Sequence, residues 1–389
     1  MKITDVECHV LVAPNYDPAL TSSGQDSFLV VLRTDEGLSG LGESDVNPWI
    51  AKACIEAPGT HTMGLCVKDM LIGADPLDID ALTRRLYVGT AMNGRRGALI
   101  HALGAVDMAL WDIKGQALGK PIFELLGGAE QAKIYPYASL QPSGHSFEEY
   151  RDSLCAWAEK AKALGFRAVK SEVTMSGPYA HSGLHETYDR HTDVVAAVRR
   201  ALGPDIALMV DLQYLFPDYA TAISVVKDWG EFDIFFLETP IWVDRLDDYA
   251  RLHEAAPMKI AAGEWLATRF EFEDLMDRGK IDVAQPDIGR VGGFGEAKAV
   301  CDMARERGRI IVPHCWKTGI SLTATAHLAF ATGHCPYIEY LPPQLCVETL
   351  RRELVEDGFE FRDGVILPPT RPGLGVTLNE DALRRFKVA

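Results

Sequence analysis

The chain lacks most of the features that mark a membrane, secreted or nucleic-acid-binding protein. No apolar run reaches the roughly 18 residues needed to span a bilayer, so no membrane association is expected. The opening residues, MKITDVECHV, alternate like a strand. They show neither the charged n-region nor the apolar h-region of a signal peptide, and a cytoplasmic location is expected. Cysteine is sparse and scattered: eight residues (Cys8, Cys54, Cys66, Cys155, Cys301, Cys315, Cys335, Cys346) with no C-x-x-C. That pattern fits free thiols in a reducing compartment and argues against a disulfide framework or a zinc site. Basic residues are outnumbered, 39 Lys and Arg against 55 Asp and Glu, for a formal net charge of −16. The basic face that nucleic acid requires is therefore not expected. No G-x-S-x-G occurs, which removes the commonest serine-hydrolase signature. The net charge would repel an anionic substrate, so an acid substrate needs a locally positive pocket. A divalent ion beside a lysine supplies one.

What is present is 389 residues, 47% of them hydrophobic, enough for one large α/β domain and a smaller companion. Residues 1–125 read as a separate α+β unit. MKITDVECHVLVA is a strand, and SFLVVLRTDEGLSGLGES is two strands around the Asp35-Glu36-Gly37 turn. From about Asp80 the period becomes helical. Leu99, Ala102, Val106, Ala109 and Ile113 form one apolar stripe, and Gly119 with Pro121 marks its end. The stretches Asn15 to Gln25 and Asn47 to about Gly64 have no period and read as loops.

From Lys133 onward the pattern is strand, helix, strand. IYPYAS, FRAVKSE, IALMVD, DIFFLE, KIAAGE, IDVAQPD, RIIVPH and PYIEY are successive short apolar runs. Gly165, Gly203, Gly230, Gly279, Gly308 and Gly333 each precede one of them, as helix C-caps do. Continuous apolar strands alternating with amphipathic helices imply a parallel sheet covered on its outer face. About eight units fit a closed (β/α)₈-type barrel over residues 126–345. An open doubly wound sheet would carry a glycine-rich phosphate turn after its first strand, and none is there. Residues 346–389 lose the pattern and are expected to pack back onto the first unit.

The strand ends carry the chemistry. Lys170 and Glu172, Asp211 and Gln213, Glu238, Glu264, Asp287, His314 and Glu339 each stand at or just past the end of an apolar run. Catalytic groups of a (β/α)₈ barrel sit at those ends. Buried carboxylates also form structural ion pairs, but a charge at nearly every strand end is costly without a use. Asp211, Glu238 and Glu264 end three successive strands. Three hard oxygen donors meeting at one point call for a cation, with Mg²⁺ the natural choice.

The ordered set Lys170-Ser171-Glu172, Asp211, Glu238, Gly263-Glu264, Gln285-Pro286-Asp287, Pro313-His314 and Glu339 resembles the mandelate racemase subgroup of the enolase superfamily, as does the stretch ALWDIKGQALGKPIFELLGG from Ala109 to Gly128. The resemblance covers essentially the whole chain. It implies a modified TIM barrel, (β/α)₇β, under an N-terminal α+β capping domain. It implies removal of the proton α to a carboxylate and an enediolate held by Mg²⁺ on Asp211, Glu238 and Glu264. Charge developing on the substrate carboxylate must be neutralised as the proton leaves. Lys170 would supply a second cation there, and Glu339, if protonated, a hydrogen bond. His314 with Asp287 would be the acid/base pair, the carboxylate fixing the imidazole tautomer. Relatives are often homo-oligomers, so an oligomer is expected.

Two positions depart from the pattern. Many relatives end the second strand Lys-x-Lys, where this chain has Glu172. Residues i and i+2 of a strand face the same way, so Glu172 is expected beside Lys170, kept ionised by nearby cations and paired with Lys170 or a substrate hydroxyl. Gln213 stands where some dehydratases have a histidine. One good proton carrier, His314, fits syn elimination of water from an aldonic or aldaric acid to a 2-keto-3-deoxy acid, by analogy on substrates of R configuration at C2. A sugar-acid or lactone cycloisomerase or epimerase, and a non-catalytic sugar-acid binder, are the alternatives. Substrate contacts are expected from Lys170, Gln213 and the capping residues Trp49, His61, Asn93 and Arg95, the last two in the run Met92–Arg96. His181, His185 and His191 are expected to be solvated, and Gly292, Gly293 and Gly295 to form a tight turn.

Overall fold

The computed structural model describes residues 1–17, 22–181 and 183–389. Part of the loop from Asn15 to Gln25, residues 18–21, lies outside the described residues. The N-terminal unit begins with an antiparallel sheet of β1 (Ile3–Val12), β2 (Asp26–Thr34) and β3 (Ser39–Ser44), in that order. The Asp35–Gly37 turn joins β2 to β3, with Gly37 left-handed at φ 82°. Helices α1 (Pro48–Glu56), α2 (Val67–Leu71), α3 (Ile79–Gly89) and α4 (Ala98–Leu118) follow.

Helix α4 has the expected apolar stripe, but burial runs well beyond it and takes in Asp107 and Asp112. The reason is that α4 lies between two bodies. On one side β3 approaches so closely that a Cβ at Gly40 or Gly42 would stand 2.0 or 1.8 Å from the carbonyl oxygens of Ala109 and Ala105. On the other side α4 meets the barrel. The two buried acids serve as fixed acceptors there. Asp107 takes the Phe294 amide at 2.6 Å, while Asp112 takes the amides of Leu41 (3.0 Å) and Leu374 (2.8 Å). Burial pushes Asp107 up to about 7 and Asp112 up to about 6, the amides opposing it.

After the short α5 (Ile122–Leu125) the alternating series starts: β4 (Tyr135–Leu140), α6 (Phe147–Ala163), β5 (Ala168–Glu172), α7 (Tyr188–Leu202), β6 (Ala207–Asp211), α8 (Tyr219–Val226), β7 (Ile234–Glu238), α9 (Leu246–Ala255), β8 (Lys259–Ala262), α10 (Thr268–Asp277), β9 (Val283–Ala284), α11 (Ile288–Val291), α12 (Phe294–Glu306), β10 (Ile310–Ile311), α13 (Gly319–Phe330) and β11 (Tyr337–Tyr340). The eight strands are parallel and lie in chain order from β4 to β10, with β11 returning to pair with β4. This is the expected enolase-type barrel. Gly230 departs from the expected punctuation. It lies inside a 3₁₀ turn, Lys227–Phe232, and Asp233 takes the left-handed conformation instead.

One layer of side chains fills the barrel: Tyr137, Ala168, Met209, Phe236, Ala261, Val283 and Val312. Each comes from or just follows a different strand, as barrel layers do. They form the floor on which the strand-tip groups stand. A second, much larger apolar core lies between the strands and the outer helices. The chain then runs through α14 (Thr349–Glu353), β12 (Val355–Glu356), β13 (Glu360–Arg362), β14 (Val365–Leu367), β15 (Thr377–Leu378) and α15 (Glu380–Phe386). Its last residues reach β1, where the Val10 amide donates to the Ala389 carbonyl at 2.8 Å and the Val388 amide to the Val10 carbonyl at 2.9 Å. All eight cysteines are free thiols, six of them buried. Among the described residues no helix is long and apolar enough to cross a membrane.

Candidate active site

The parallel register sets the strand tips level with one another. Glu172 is aligned with Asp211, and Asp211 with Glu238. Glu264 follows β8 by two residues, Asp287 caps α11 after β9, and His314 follows β10. A cavity of about 180 Å³ opens among them. Lys170, Glu172, Asp211, Gln213, Glu264, His314 and Glu339 all line it. Larger cavities of about 660 and 780 Å³ lie elsewhere and contain none of these strand-tip groups. Convergent chemistry, not size, identifies the site.

Lys170 is buried beneath the acids. Its Nζ lies 2.9 Å from Glu238 Oε1, 3.0 Å from Glu339 Oε1 and 3.5 Å from Asp211 Oδ2. Burial opposes its charge, but Glu238 and Glu339 more than compensate and hold its pKa well above the usual lysine value. Burial also drives Glu238 upward. Lys170 pulls it down, Asp211, Glu264 and Glu339 push against it, and it reaches about 8. Glu264 is raised as well, by burial first, with His314 opposing. Three buried carboxylates from adjacent strands thus compete for too little positive charge.

His314 Nδ1 lies 2.8 Å from Asp287 Oδ2. Asp287 Oδ1 accepts the Arg290 amide at 3.1 Å, so the carboxylate is fixed from both sides. The free Nε2 of His314 faces Glu264 Oε2 at 3.4 Å. Burial and Arg290 disfavour the imidazolium, yet Asp287, Glu339 and Glu264 outweigh them and raise the ring to about 9.

Two groups could in principle hold a cation. Asp45, Asp287 and His314 bring ligand atoms within 4.8 Å of one another. Their charges are already answered, however. Asp45 is paired with Arg290 at 2.5 Å and Lys317 at 3.1 Å, and Asp287 with His314. The Asp211, Glu238 and Glu264 set offers hard oxygen donors under mutual repulsion, which is what a divalent cation relieves. By donor chemistry that set suits Mg²⁺, although among the described residues only the Asp45 group brings its ligand atoms within 4.8 Å of one another.

Several expected placements differ. Glu172 is not an ion-pair partner of Lys170, whose Nζ is taken by the other acids. It accepts from Thr174 Oγ1 at 2.9 Å instead. Burial and Asp211 push it up to about 7, so it is not held firmly ionised. Glu339 is not poised as a proton donor. Burial raises it, but Lys170, His314 and the Cys315 amide (2.8 Å) overcome that and keep its pKa below the usual value. Trp49, Asn93 and Arg95 do not line the cavity, and neither does His61. They are exposed on the capping unit. Backbone bonds from Met92 to Met63 and from Leu65 to Gly89 tie this region to its own turn. His181 and His191 are buried, not solvated. The first bonds the Gly144 carbonyl (2.8 Å) and the second the Thr187 carbonyl (2.9 Å); only His185 is exposed. The Gly292-Gly293 turn is tight as expected, since a Cβ at Gly293 would meet Asp107 Oδ1 at 2.1 Å.

Other lining residues had no local signal. Ser22 and Ser23 come from the capping loop, Tyr179 from the segment after β5, Trp265 from beside Glu264, and Trp316 from beside His314. Arg290 and Lys317 are the chief omissions. They clamp Asp45 of the capping unit and depress its pKa to about 2 despite its burial. Glu43 adds a second clamp by accepting from Thr318 and Ser321 at the start of α13. An arginine three residues after Asp287 was the one available hint.

A capping α+β unit clamped over the tips of a parallel barrel, with acids, a lysine and a His–Asp pair gathered there, defines the enolase superfamily. The enolase C-terminal domain-like family model matches residues 153–382, and the mandelate racemase/muconate lactonizing enzyme N-terminal domain matches residues 4–127. The chain belongs to the mandelate racemase subgroup of that superfamily. It is 30% identical over 398 aligned positions to a D-galactarolactone cycloisomerase of Agrobacterium fabrum, covering 100% of this chain and 99% of the relative. It is 30% identical to an arabinonate dehydratase of Saccharolobus solfataricus, covering 92% and 89%. Among solved structures, the 3,6-anhydro-D-galactonate cycloisomerase of Zobellia galactanivorans superposes with a TM-score of 0.86 at 28% identity and full coverage of both chains.

Proposed function

We propose that this protein is a Mg²⁺-dependent sugar-acid dehydratase, a carbon–oxygen hydro-lyase that converts an aldonic or aldaric acid to its 2-keto-3-deoxy acid. The observation that carries this reading is the single His314–Asp287 pair. It stands past the ends of β9 and β10, while β5 and β6 across the barrel present Glu172 and Gln213. His314 takes the α-proton on Nε2, because Nδ1 is committed to Asp287; the ring must be neutral to do so, and a cation answering the charge of Glu264 would remove one of the carboxylates that hold it protonated. Asp287 stabilises the imidazolium that forms. The same Nε2 then returns the proton to the departing 3-hydroxyl on the same face, so one group serves both halves of a syn elimination. Lys170 offers positive charge to the substrate carboxylate, and Glu339 holds Lys170 in place. Asp211, Glu238 and Glu264 would hold Mg²⁺, which when bound neutralises charge that builds on the carboxylate as the proton leaves.

Sugar-acid cycloisomerisation is the second reading. It is favoured by the full-length similarity to the D-galactarolactone and 3,6-anhydro-D-galactonate cycloisomerases. It begins with the same proton removal. A screen of aldonic and aldaric acids and their lactones with Mg²⁺, scored for 2-keto-3-deoxy product with a carbonyl reagent, separates the two. Keto acid formed from an open-chain acid supports dehydration, whereas keto acid formed from a lactone, with which it is isomeric, supports cycloisomerisation. Deuterium incorporation at C2 in D₂O without keto acid transfers the assignment to an isomerase. Neither signal across the library would sink both.

A further inference from the structure

Each carboxylate of the Asp211, Glu238 and Glu264 set receives a neutral donor from the end of another strand, the adjacent one for Asp211 and the next but one for Glu238 and Glu264. Thr239 Oγ1 donates to Asp211 Oδ1 at 3.1 Å, Gln285 Nε2 to Glu238 Oε2 at 2.7 Å, and Tyr214 Oη to Glu264 Oε1 at 3.2 Å. Two of these donors share an unusual feature. Tyr214 and Thr239 both have left-handed backbones, with φ of 62° and 41°. Neither is a residue type that enters this region readily, and β-branched threonine is among the worst suited. Both are buried, at 3% and 0% exposure. Their backbones are joined, the Tyr214 amide donating to the Thr239 carbonyl at 2.6 Å, and the Thr239 amide is held in turn by the Ala261 carbonyl at 3.0 Å.

Glycine or asparagine would satisfy those dihedrals with less strain. Neither would place a hydroxyl on these carboxylates. Strained residues persist where the surroundings over-determine them, and they cluster at functional sites. Here the strain is coupled to geometry. The chain after β6 reaches over to Glu264 on the β8 side, and the chain after β7 reaches back to Asp211 on β6. The two reaches cross at the Tyr214–Thr239 backbone bond. Two of the three carboxylates are thereby oriented by one buried crossing.

We propose that Tyr214 and Thr239 are positioning residues for the metal site. Their hydroxyls set the rotamers of Glu264 and Asp211 before the cation arrives. The proposal rests on the assignment of these acids as Mg²⁺ ligands. Partners of this kind typically change metal affinity by about 10- to 100-fold when removed.

The test is a Mn²⁺ titration, following free Mn²⁺ by its electron paramagnetic resonance signal, on the full chain without substrate. Tyr214→Phe and Thr239→Val each delete one hydroxyl and keep the side-chain shape. Each is expected to weaken Mn²⁺ binding about 10-fold or more while the thermal unfolding midpoint moves little. Thr239→Ser keeps the hydroxyl and is expected to restore affinity to near wild type. Should Thr239→Val fail to fold, Tyr214→Phe carries the test alone. Wild-type affinity in a folded Tyr214→Phe and a folded Thr239→Val would overturn the proposal. Asp211→Asn separates this failure from a deeper one. If wild type binds one Mn²⁺ and Asp211→Asn does not, the ligand assignment stands and only the positioning role is lost. If wild type binds none, or Asp211→Asn binds as well as wild type, the ligand assignment fails and the proposal with it.

Discussion

Asp45→Asn is expected to destabilise the protein by about 3 kcal/mol at pH 7, and to do so in a pH-dependent way. Asp45 belongs to the capping unit, yet its carboxylate is paired with two barrel cations, Arg290 at 2.5 Å and Lys317 at 3.1 Å. Burial alone would raise its pKa. Arg290, Lys317 and His314 reverse that and bring it from 3.8 to about 2. At about 1.4 kcal/mol per pH unit, the charged form contributes about 2.5 kcal/mol of folding free energy. Breaking a buried ion pair costs about 3 to 5 kcal/mol because the partner is left uncompensated. The lower end applies here, since Lys317 keeps Asp26 and Arg290 keeps the carbonyls of Asp45 and Glu264. The folded pKa is depressed, so the stabilisation is complete above about pH 4 and is lost as pH falls toward 2. Equilibrium urea unfolding of wild type and variant at pH 7, 5, 4 and 3.5 reads this directly. The gap is expected to hold from pH 7 to 5 and to narrow below 4. A gap under about 1 kcal/mol at pH 7, or one constant down to pH 3.5, would refute the reasoning.

His314→Asn is expected to lower turnover by about 10²- to 10⁴-fold on whichever acid the screen identifies; steady-state kinetics checks it, and full turnover would remove His314 from the mechanism. His327 is buried and neutral, accepting the Phe123 amide at 3.2 Å and donating to the Leu374 carbonyl at 3.1 Å, with burial holding it down at about 4. Below pH 6.5 the unfolded chain takes up a proton that the folded chain refuses. Stability should therefore fall by about 3 kcal/mol between pH 7 and 4 through this residue. Urea unfolding of His327→Gln across that range should lack this component, and an identical slope would contradict it. Gly42→Ala would set a Cβ 1.8 Å from the Ala105 carbonyl, forcing β3 off α4. It is expected to cost about 3 kcal/mol or to prevent folding, and an unchanged urea midpoint would count against the close packing described.

The barrel and its strand-tip groups were legible because each signal is local. A short apolar run ending in an ionisable residue is visible in a few positions, and parallel register does the rest by bringing Glu172, Asp211 and Glu238 level. Charge states were less legible because they depend on who else is present. Glu172 and Glu339 both stand near Lys170 in any barrel drawing. Only the geometry shows that Lys170 serves Glu339 and leaves Glu172 to Thr174. The capping unit's contribution was hardest to see. Asp45 and Arg290 are 245 residues apart, and nothing in either neighbourhood names the other. The same holds for Ser22 beside Trp316. Conversely, Trp49, Asn93 and Arg95 stood out by residue type, but all three are exposed on the capping unit, and Trp49 lies on α1 where a loop was expected.

The strand β1 forms one edge of the capping sheet, and an unguarded edge is a template for pairing with other chains. Two segments blunt it. At one end Gly73 and Ala74 bond Ile3; at the other, Val388 and Ala389 bond Val10. One guard is made soon after the strand and the other only after the entire barrel. During synthesis the earliest strand therefore stays half-covered until residues 387–389 emerge and return to it. Cover of that edge depends on contact between β1 and a segment far away in sequence, and the Val10 end is left unpaired wherever that contact is missing.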